Sequence, residues 1–531
     1  MFPVSCRKAK AQRMVSNDEQ PESHSRGLRR RLRWKRGALI GAGLLLLFCG
    51  RPVWHVLTVA WNDRNELSAI PHGEINDASR LNQTPVAEIV NVGVEIDRAE
   101  EQLAELLQRA RREGLRVSIA GARHSMGGHT IYPGGISINM LSLNQMELNE
   151  DREILHVGAG ALWSDIIPYL DHRGRSISVM QSNSSFSVGG SLSVNCHGWQ
   201  YGRPPIASTV ESFRLMKADG SIVICSRSEN ADLFALVPGG YGLFGIILDV
   251  DLKVVSNKRY LVTSDIIPAH EALSTYRRKV GTRSDAAMVY ARLNVDPDRF
   301  LQDVILNVFT EDPDPQAAIP DLHDPGLASI RRHIFRGSVD SDYGKQLRWA
   351  AETKLQPRLR ASAFSRNQLL SEGVSVFENR LADSTDILHE YFVPPDRIEL
   401  FVDRVRSIIP ECHGNLLNVT VRSVEQDDDT FLRYADRPML SLVMLFHQKR
   451  TIEGEAAMQK MTRQLIDAAL AVGGRYYLPY RLHATVEQFQ AAYPMAAEFF
   501  ERKRQHDPDE IFQNQFYLQY SGRSDVGSQE N

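Results

Sequence analysis

Three glycine-rich stretches hold the residue types and spacing from which chemistry can be read first. They are Gly121-Ala122-Arg123-His124-Ser125-Met126, Val188-Gly189-Gly190 with His197-Gly198, and Gly239–Ile246. A main chain without Cβ atoms can approach a phosphate closely, and its successive N–H groups form an anion nest. Any one of these stretches would also serve as an ordinary turn. Together they imply one long anionic ligand lying across backbone amides. None stands between a strand and a helix as a Rossmann glycine motif does, and none carries a Walker lysine. The five cysteines (Cys6, Cys49, Cys196, Cys225, Cys412) include no pair at metal-ligand spacing. No metal site and no disulfide framework are therefore expected.

The loops need elements to hold them. Asp97 to Gly114 reads as an amphipathic helix, with Asp97 and Glu100 in a capping-box pattern and Ala99, Leu103, Leu106, Leu107 and Ala110 on one stripe. Val117–Ala120 then reads as a short buried strand that delivers the first loop. Ile136–Met140 and Ile154–Val157 are further strands, and Leu162–His172 is a short helix disturbed by Pro168. Val210–Lys217 and Ser221–Ser226 form a hairpin, and Ile246–Val255 is the strand after the third loop. Beyond it, strands (Val304–Phe309, Leu440–Phe446) mix with helices (Pro395–Ile409, Glu453–Val472, Thr485–Gln505), around an acidic, Pro-rich loop at Glu311–Gly326. The fold class is α+β.

The order of loops resembles the FAD-binding domain of the vanillyl-alcohol oxidase / p-cresol methylhydroxylase (PCMH-type) superfamily. Its members carry Gly-x-x-His-Ser after a strand, then Val-Gly-Gly…His-Gly, then Gly-Gly-x-Gly-x-x-Gly-Ile. The piece Tyr477-Leu478-Pro479-Tyr480…Tyr493-Pro494…Asp507-Pro508…Phe512 resembles the part of that family that closes back on the flavin domain. The resemblance covers residues 85–520 and is nearest to alditol and aldonolactone oxidases and to decaprenylphosphoryl-ribose oxidase. It implies a two-part FAD-binding domain interrupted by an α/β substrate cap. It places the pyrophosphate on Ala120, Gly121, Ala122, Arg123, His124, Ser125 and Met126, and on Ser187, Val188, Gly189 and Gly190. Ser182, His197, Gly198, Ile246 and Tyr477 match further cofactor positions. In the alditol and aldonolactone oxidases the histidine matching His124 is bonded to the flavin, whereas decaprenylphosphoryl-ribose oxidase holds FAD without a bond. Both arrangements stay open for His124.

The same resemblance points to four catalytic candidates. Glu390, in Glu390-Tyr391-Phe392-Val393-Pro394, matches a stretch bordering the active site of sugar oxidases. Arg422, in Val421-Arg422-Ser423-Val424, matches an arginine that abuts flavin and substrate. The acid that alditol oxidases carry two residues earlier is Thr420 here, which leaves polyol specificity open. Tyr480 aligns with a lysine of decaprenylphosphoryl-ribose oxidase, and His483 is the alternative base. The implied activity is oxidation of a CH–OH group of a sugar, polyol or aldonolactone, with oxygen or a membrane quinone as acceptor. Amine oxidation of the cytokinin dehydrogenase type, double-bond reduction of the sterol reductase type, and a non-catalytic FAD-fold scaffold are the alternatives.

Charge and hydropathy set the frame around this core. The chain of 531 residues has 62 Lys+Arg and 65 Asp+Glu, a net charge of −3. Residues 1–36 hold 11 bases and three acids, a local +8, so the remainder carries −11. An acidic body argues against binding a nucleic-acid backbone. Residues 37–61 are largely apolar, interrupted by Arg51 and Pro52, and long enough for a single transmembrane anchor, and the basic tail would stay cytoplasmic with the body outside. A cleaved export signal is the alternative. The expected organisation is thus a tail (1–36), an anchor (37–61), a linker (62–84) and a flavin domain (85–255). A cap (256–475), a closing segment (476–520) and a C-terminal tail (521–531) follow.

Overall fold

The computed structural model describes residues 50–63, 69–281, 283–323 and 328–522. The expected tail 1–36, residues 37–49 of the expected anchor, and 523–531 lie outside the described residues. Residues 50–62 are helical. Among the described residues no helix is long and apolar enough to cross a membrane.

The glycine loops hang from two small sheets. Strand β1 (Glu88–Asn91) leads into helix α1 (Ile96–Glu113), which is followed by β2 (Val117–Ala120) and β3 (Ile136–Asn139). These strands form a parallel sheet with β3 in the centre. Helix α1 buries the expected stripe of Ala99, Leu103, Leu106, Leu107 and Ala110 against this layer, and Gly114 ends it in a left-handed conformation (φ 68°). Its start differs from the capping-box expectation. Glu95 is the N-cap, no side chain caps the helix, and Glu100 instead accepts from Arg214 at 2.8 Å. A charged partner across the domain outcompetes a local cap, and Asp97 still sits favourably in the first turn.

The second sheet is antiparallel. It contains β4 (Ile154–Gly158), β5 (Val210–Met216) and β6 (Ile246–Ser256), with β6 between the other two. Helix α2 (Val188–Ser193) carries the second glycine pair. Residues 511–513 return to this part. Phe512 lies in the same core as Leu103, and Val117 N–H donates to the Ile511 carbonyl at 2.7 Å.

Residues 259–476 build one large antiparallel sheet. Its strands are β7 (Arg259–Pro268), β8 (Ala286–Leu293), β9 (Asp303–Glu311), β10 (Ala363–Ser365), β11 (Ser384–Val393), β12 (Asn415–Val424), β13 (Met439–Lys449) and β14 (Arg475–Tyr476). Their order is β10-β7-β9-β8-β12-β13-β11-β14. The register aligns side chains on one face, because directly opposed residues point the same way. One row runs Glu390–Val443–Thr420–Arg292, and the next runs Phe392–Ser441–Arg422. Helix α3 (Ile452–Leu470) packs beside β11 and β13.

The single helix expected over 485–505 is two helices, Val486–Ala492 and Ala496–His506. Pro494 lacks an N–H and forces Tyr493 out of helical geometry (φ −129°, ψ 81°), so the chain breaks there.

Candidate active site

One cavity of about 1310 Å³ is bounded on one side by the glycine loops and on the other by the face of the large sheet. It exceeds the usual range of about 300–1,000 Å³ for a single small ligand. It has room for a cofactor together with a substrate.

The loop side is shaped by close backbone approach. A Cβ on Gly121 would lie 2.0 Å from Ser187 Oγ, and one on Gly189 would lie 2.9 Å from Ala159 Cβ. Ser187 Oγ accepts a hydrogen bond from Ala122 N–H at 3.4 Å, so the second loop braces the first. Arg123 occupies the left-handed region at φ 56°, which turns the chain sharply before His124. His124 stacks on Phe186 at 4.1 Å, and its Nε2 is 3.1 Å from the Ser185 carbonyl. Only a protonated Nε2 can bond to a carbonyl, so the neutral ring presents the lone pair of Nδ1. Burial pushes the His124 pKa down and keeps the ring neutral.

Among the buried polar atoms of cavity-lining residues that have no protein partner among the described residues are Arg123 Nη1, Ser125 Oγ and Arg422 Nε. Buried polar groups left alone are costly, so the cavity suits a ligand rich in hydrogen-bond acceptors. Ile119, Met140 and Ile247 give the same cavity apolar walls. A flavin with a pyrophosphate and an adenosine has this mixture of surfaces, and the residues present fit it.

The sheet side holds a hydrogen-bonded cluster. Glu390 is 3% exposed, and its Oε1 accepts from His197 Nε2 at 2.5 Å and from the Ser441 hydroxyl. Its Oε2 accepts from the Tyr480 hydroxyl at 3.1 Å. Burial would raise the Glu390 pKa, but His197, Arg422 and the hydrogen bonds outweigh it and hold the carboxyl below its ordinary range. Burial and the neighbouring Glu390 charge push the Tyr480 phenol well above its ordinary value, so it stays protonated. Burial lowers the Arg422 pKa, opposed by Glu390 and Tyr480.

The structure therefore brings Glu390, Arg422 and Tyr480 together on the cavity wall, and adds His197 to them. His483 is elsewhere. It is 3% exposed, bonded through Nδ1 to Thr462 at 2.9 Å and through Nε2 to Glu455 at 2.8 Å, and it does not line the cavity. Both ring nitrogens are engaged, which leaves neither to act as a base. Of the cofactor candidates, Gly121 to Met126, Ser182, Ser187, Gly189, Gly190, His197 and Tyr477 line the cavity, whereas Ala120, Val188, Gly198 and Ile246 lie behind it. Ala120, Val188 and Ile246 are fully buried strand or helix residues that support the loops. His129 also lines the cavity and is buried, and burial pushes its pKa down to about 3. No local pattern in the sequence marks Ser441, which donates to Glu390, or the cavity-lining Tyr290, Arg292 and Arg360. They share no motif: strand register brings Ser441, Tyr290 and Arg292 to the site, and Arg360 comes from the chain before β10.

The sequence model of the FAD binding domain family matches residues 96–226. Residues 96–226 thus carry an FAD binding domain. The family's cofactor is accordingly FAD, and the flavin domain contains two of the three glycine loops within the matched residues. Mouse L-gulonolactone oxidase is 32% identical over 164 residues, 31% of this chain and 37% of the mouse protein. Cytokinin dehydrogenase 2 of Arabidopsis thaliana is 33% identical over 133 residues, 25% of this chain and 26% of that protein. An uncharacterized oxidoreductase from the fasciation locus of Rhodococcoides fascians is 24% identical over 405 residues, 72% of this chain and 83% of the relative. The chain thus spans little more than a third of the mouse protein's length, while the longer, weaker likeness extends beyond the flavin domain.

Proposed function

We propose that this protein is an FAD-linked oxidoreductase that oxidises a CH–OH group of a sugar, polyol or aldonolactone. The observation that carries this reading is the Glu390–Tyr480–His197 cluster beside Arg422, facing the glycine loops across one cavity. The likeness to mouse and bovine L-gulonolactone oxidases supports it. FAD would supply the hydride acceptor, and Gly121 to Met126, Ser187, Gly189 and Gly190 would hold its phosphates through backbone N–H groups. Tyr480 and Glu390 would take the hydroxyl hydrogen bond and then the proton as the alcohol is oxidised. Arg422 would stabilise negative charge as it develops on the substrate oxygen. Closure of the sheet face over the loops would exclude bulk water and strengthen both effects.

His124 Nδ1 is the atom available for a covalent flavin bond. Oxygen or a membrane quinone would accept the electrons. The basic segment 1–36 and the apolar run 37–61 support membrane attachment with the body on the outer side. Trp54 and Trp61, on helical residues 50–62, are 73% and 68% exposed, as interfacial tryptophans would be.

Amine oxidation is the second reading, supported by likeness to the cytokinin dehydrogenases. The deciding test exposes the purified holoprotein, without oxygen, to a panel of polyols, aldonolactones and amines and follows the visible flavin absorbance. Bleaching by alcohols or lactones supports the proposal. Bleaching by amines alone refutes it.

A further inference from the structure

The sheet face that carries Arg422 continues into a second cluster of positive charge. Arg292 lies opposite Thr420 on the neighbouring strand, and Arg360 enters the same cavity from the chain just before β10. Arg292 has one carboxylate partner, Glu352, at 2.9 Å. Glu352 is shared, because Arg348 Nε also donates to the same oxygen at 2.8 Å. Arg348 is otherwise consumed by the Leu417 carbonyl and Asn418.

Arg360 has no carboxylate partner among the described residues. Its Nη1 donates to Ser264 Oγ at 2.9 Å, with Asn307 Oδ1 at 3.4 Å, and its Nε and Nη2 bond to no described residue. Arg360 is half-buried, and burial lowers its pKa, with Tyr290 acting in the opposite direction. Of the three guanidinium groups here, Arg292 and Arg348 share the one carboxylate of Glu352, and Arg292 and Arg360 line the cavity. A half-buried cation with no carboxylate of the protein beside it favours an anionic partner in the cavity. These two arginines also present planar N–H donors of the kind that grip a carboxylate or phosphate.

We propose that Arg292 and Arg360 form an oxyanion subsite, so that the substrate is an anionic sugar derivative bearing a carboxylate or phosphate away from the carbon that is oxidised. This rests on the CH–OH reading and sharpens its substrate class. Thr420 and Val443 stand between Arg292 and Glu390 in the strand register, and Tyr290, opposite Arg422 in the next row by extension of the Ala291–Val421 and Arg292–Thr420 pairs, lines the same cavity. The anion would therefore anchor one end of the substrate while the reacting hydroxyl reaches Tyr480.

The test uses full-length holoprotein and two readouts. Sodium gluconate, glucose 6-phosphate and neutral glucitol are compared as reductants of the bound flavin, and binding of gluconate and of glucose 6-phosphate is measured separately by equilibrium dialysis. At least one anionic compound is expected to exceed glucitol in kcat/KM by about tenfold or more, as charge-assisted pairing allows. Arg360→Gln is expected to lower that ratio, and to weaken binding of the same anion, by about tenfold, with partial recovery in Arg360→Lys. Ratios at matched flavin content cancel any loss of folded protein. The stronger of gluconate and glucose 6-phosphate identifies the oxyanion. Equal use of all three compounds, or a ratio that Arg360→Gln leaves intact, overturns the inference and leaves the CH–OH reading standing. Arg360-dependent anion binding without flavin reduction by any of them upholds the subsite and removes the CH–OH reading. Absence of both binding and reduction overturns the subsite.

Discussion

Glu390 is held ionised in a place where burial alone would keep it protonated. Its depressed pKa gives a pH signature with a definite sign. A carboxylate whose folded pKa lies below its unfolded value of about 4.3 adds stability that is present above that value and lost as pH falls through the folded one. The acid limb of the flavin-reduction profile that belongs to Glu390 should accordingly fall below about pH 4.3. A Glu390-dependent limb near neutrality would contradict the assignment. His124 and His483 make opposite predictions. His124→Ala should release flavin from acid-precipitated protein if Nδ1 carries a covalent bond, and acid-stable colour in that variant would exclude the bond. His483→Ala should instead cost about 1–3 kcal/mol of stability by stripping Thr462 and Glu455 of a buried partner, with flavin reduction near the wild-type rate. A large rate loss at unchanged melting temperature would restore His483 as a base.

Elements explain why some of this could be read from the sequence and some could not. The stripe on α1, the strand β2 and the loop after it are local patterns, and they occur where apolar spacing and glycines put them. Thr485–Gln505 shows the limit of periodicity, because Pro494 breaks a pattern that otherwise continues. Asp97 and Glu100 show another, since Arg214, distant in sequence, draws Glu100 away from the cap. Arg292 and Arg360 could not be found at all. Arg292 reaches the site through cross-strand register and Arg360 through the path of the chain before β10, neither of which single-strand patterns contain. Two changes test the elements. Leu107→Ala, at a fully buried position on α1, should cost about 2–5 kcal/mol in denaturant unfolding. Gly121→Ala should press a methyl against Ser187 and lower the flavin retained on purification, with a stability loss of about 1–3 kcal/mol. Full flavin occupancy in Gly121→Ala would show that this loop is not the cradle.

At the scale of the whole molecule, chain order and spatial order differ. The flavin domain begins near residue 88, the large sheet interrupts it, and residues 511–513 return to pair beside β2. The site exists only where these parts meet. Tyr480 comes from the returning chain, Glu390 and Arg422 from the sheet, and His197 from the flavin domain. The charge division of the sequence belongs to this scale too. If the head and apolar run attach the protein to a membrane, alkaline extraction should leave the full chain in the membrane pellet and release a chain begun at residue 62. Equal release of both would refute attachment. At the centre of the molecule, the Glu390 cluster would take the proton as a bound flavin oxidises the alcohol. The most direct measurement of this role is the rate of flavin reduction in a single turnover without oxygen, using the best alcohol or lactone of the panel, for wild type and Glu390→Gln at equal flavin content. The predicted result is rapid bleaching in wild type and a rate lower by about 100- to 10,000-fold in the variant. Equal rates in the two proteins would contradict the account.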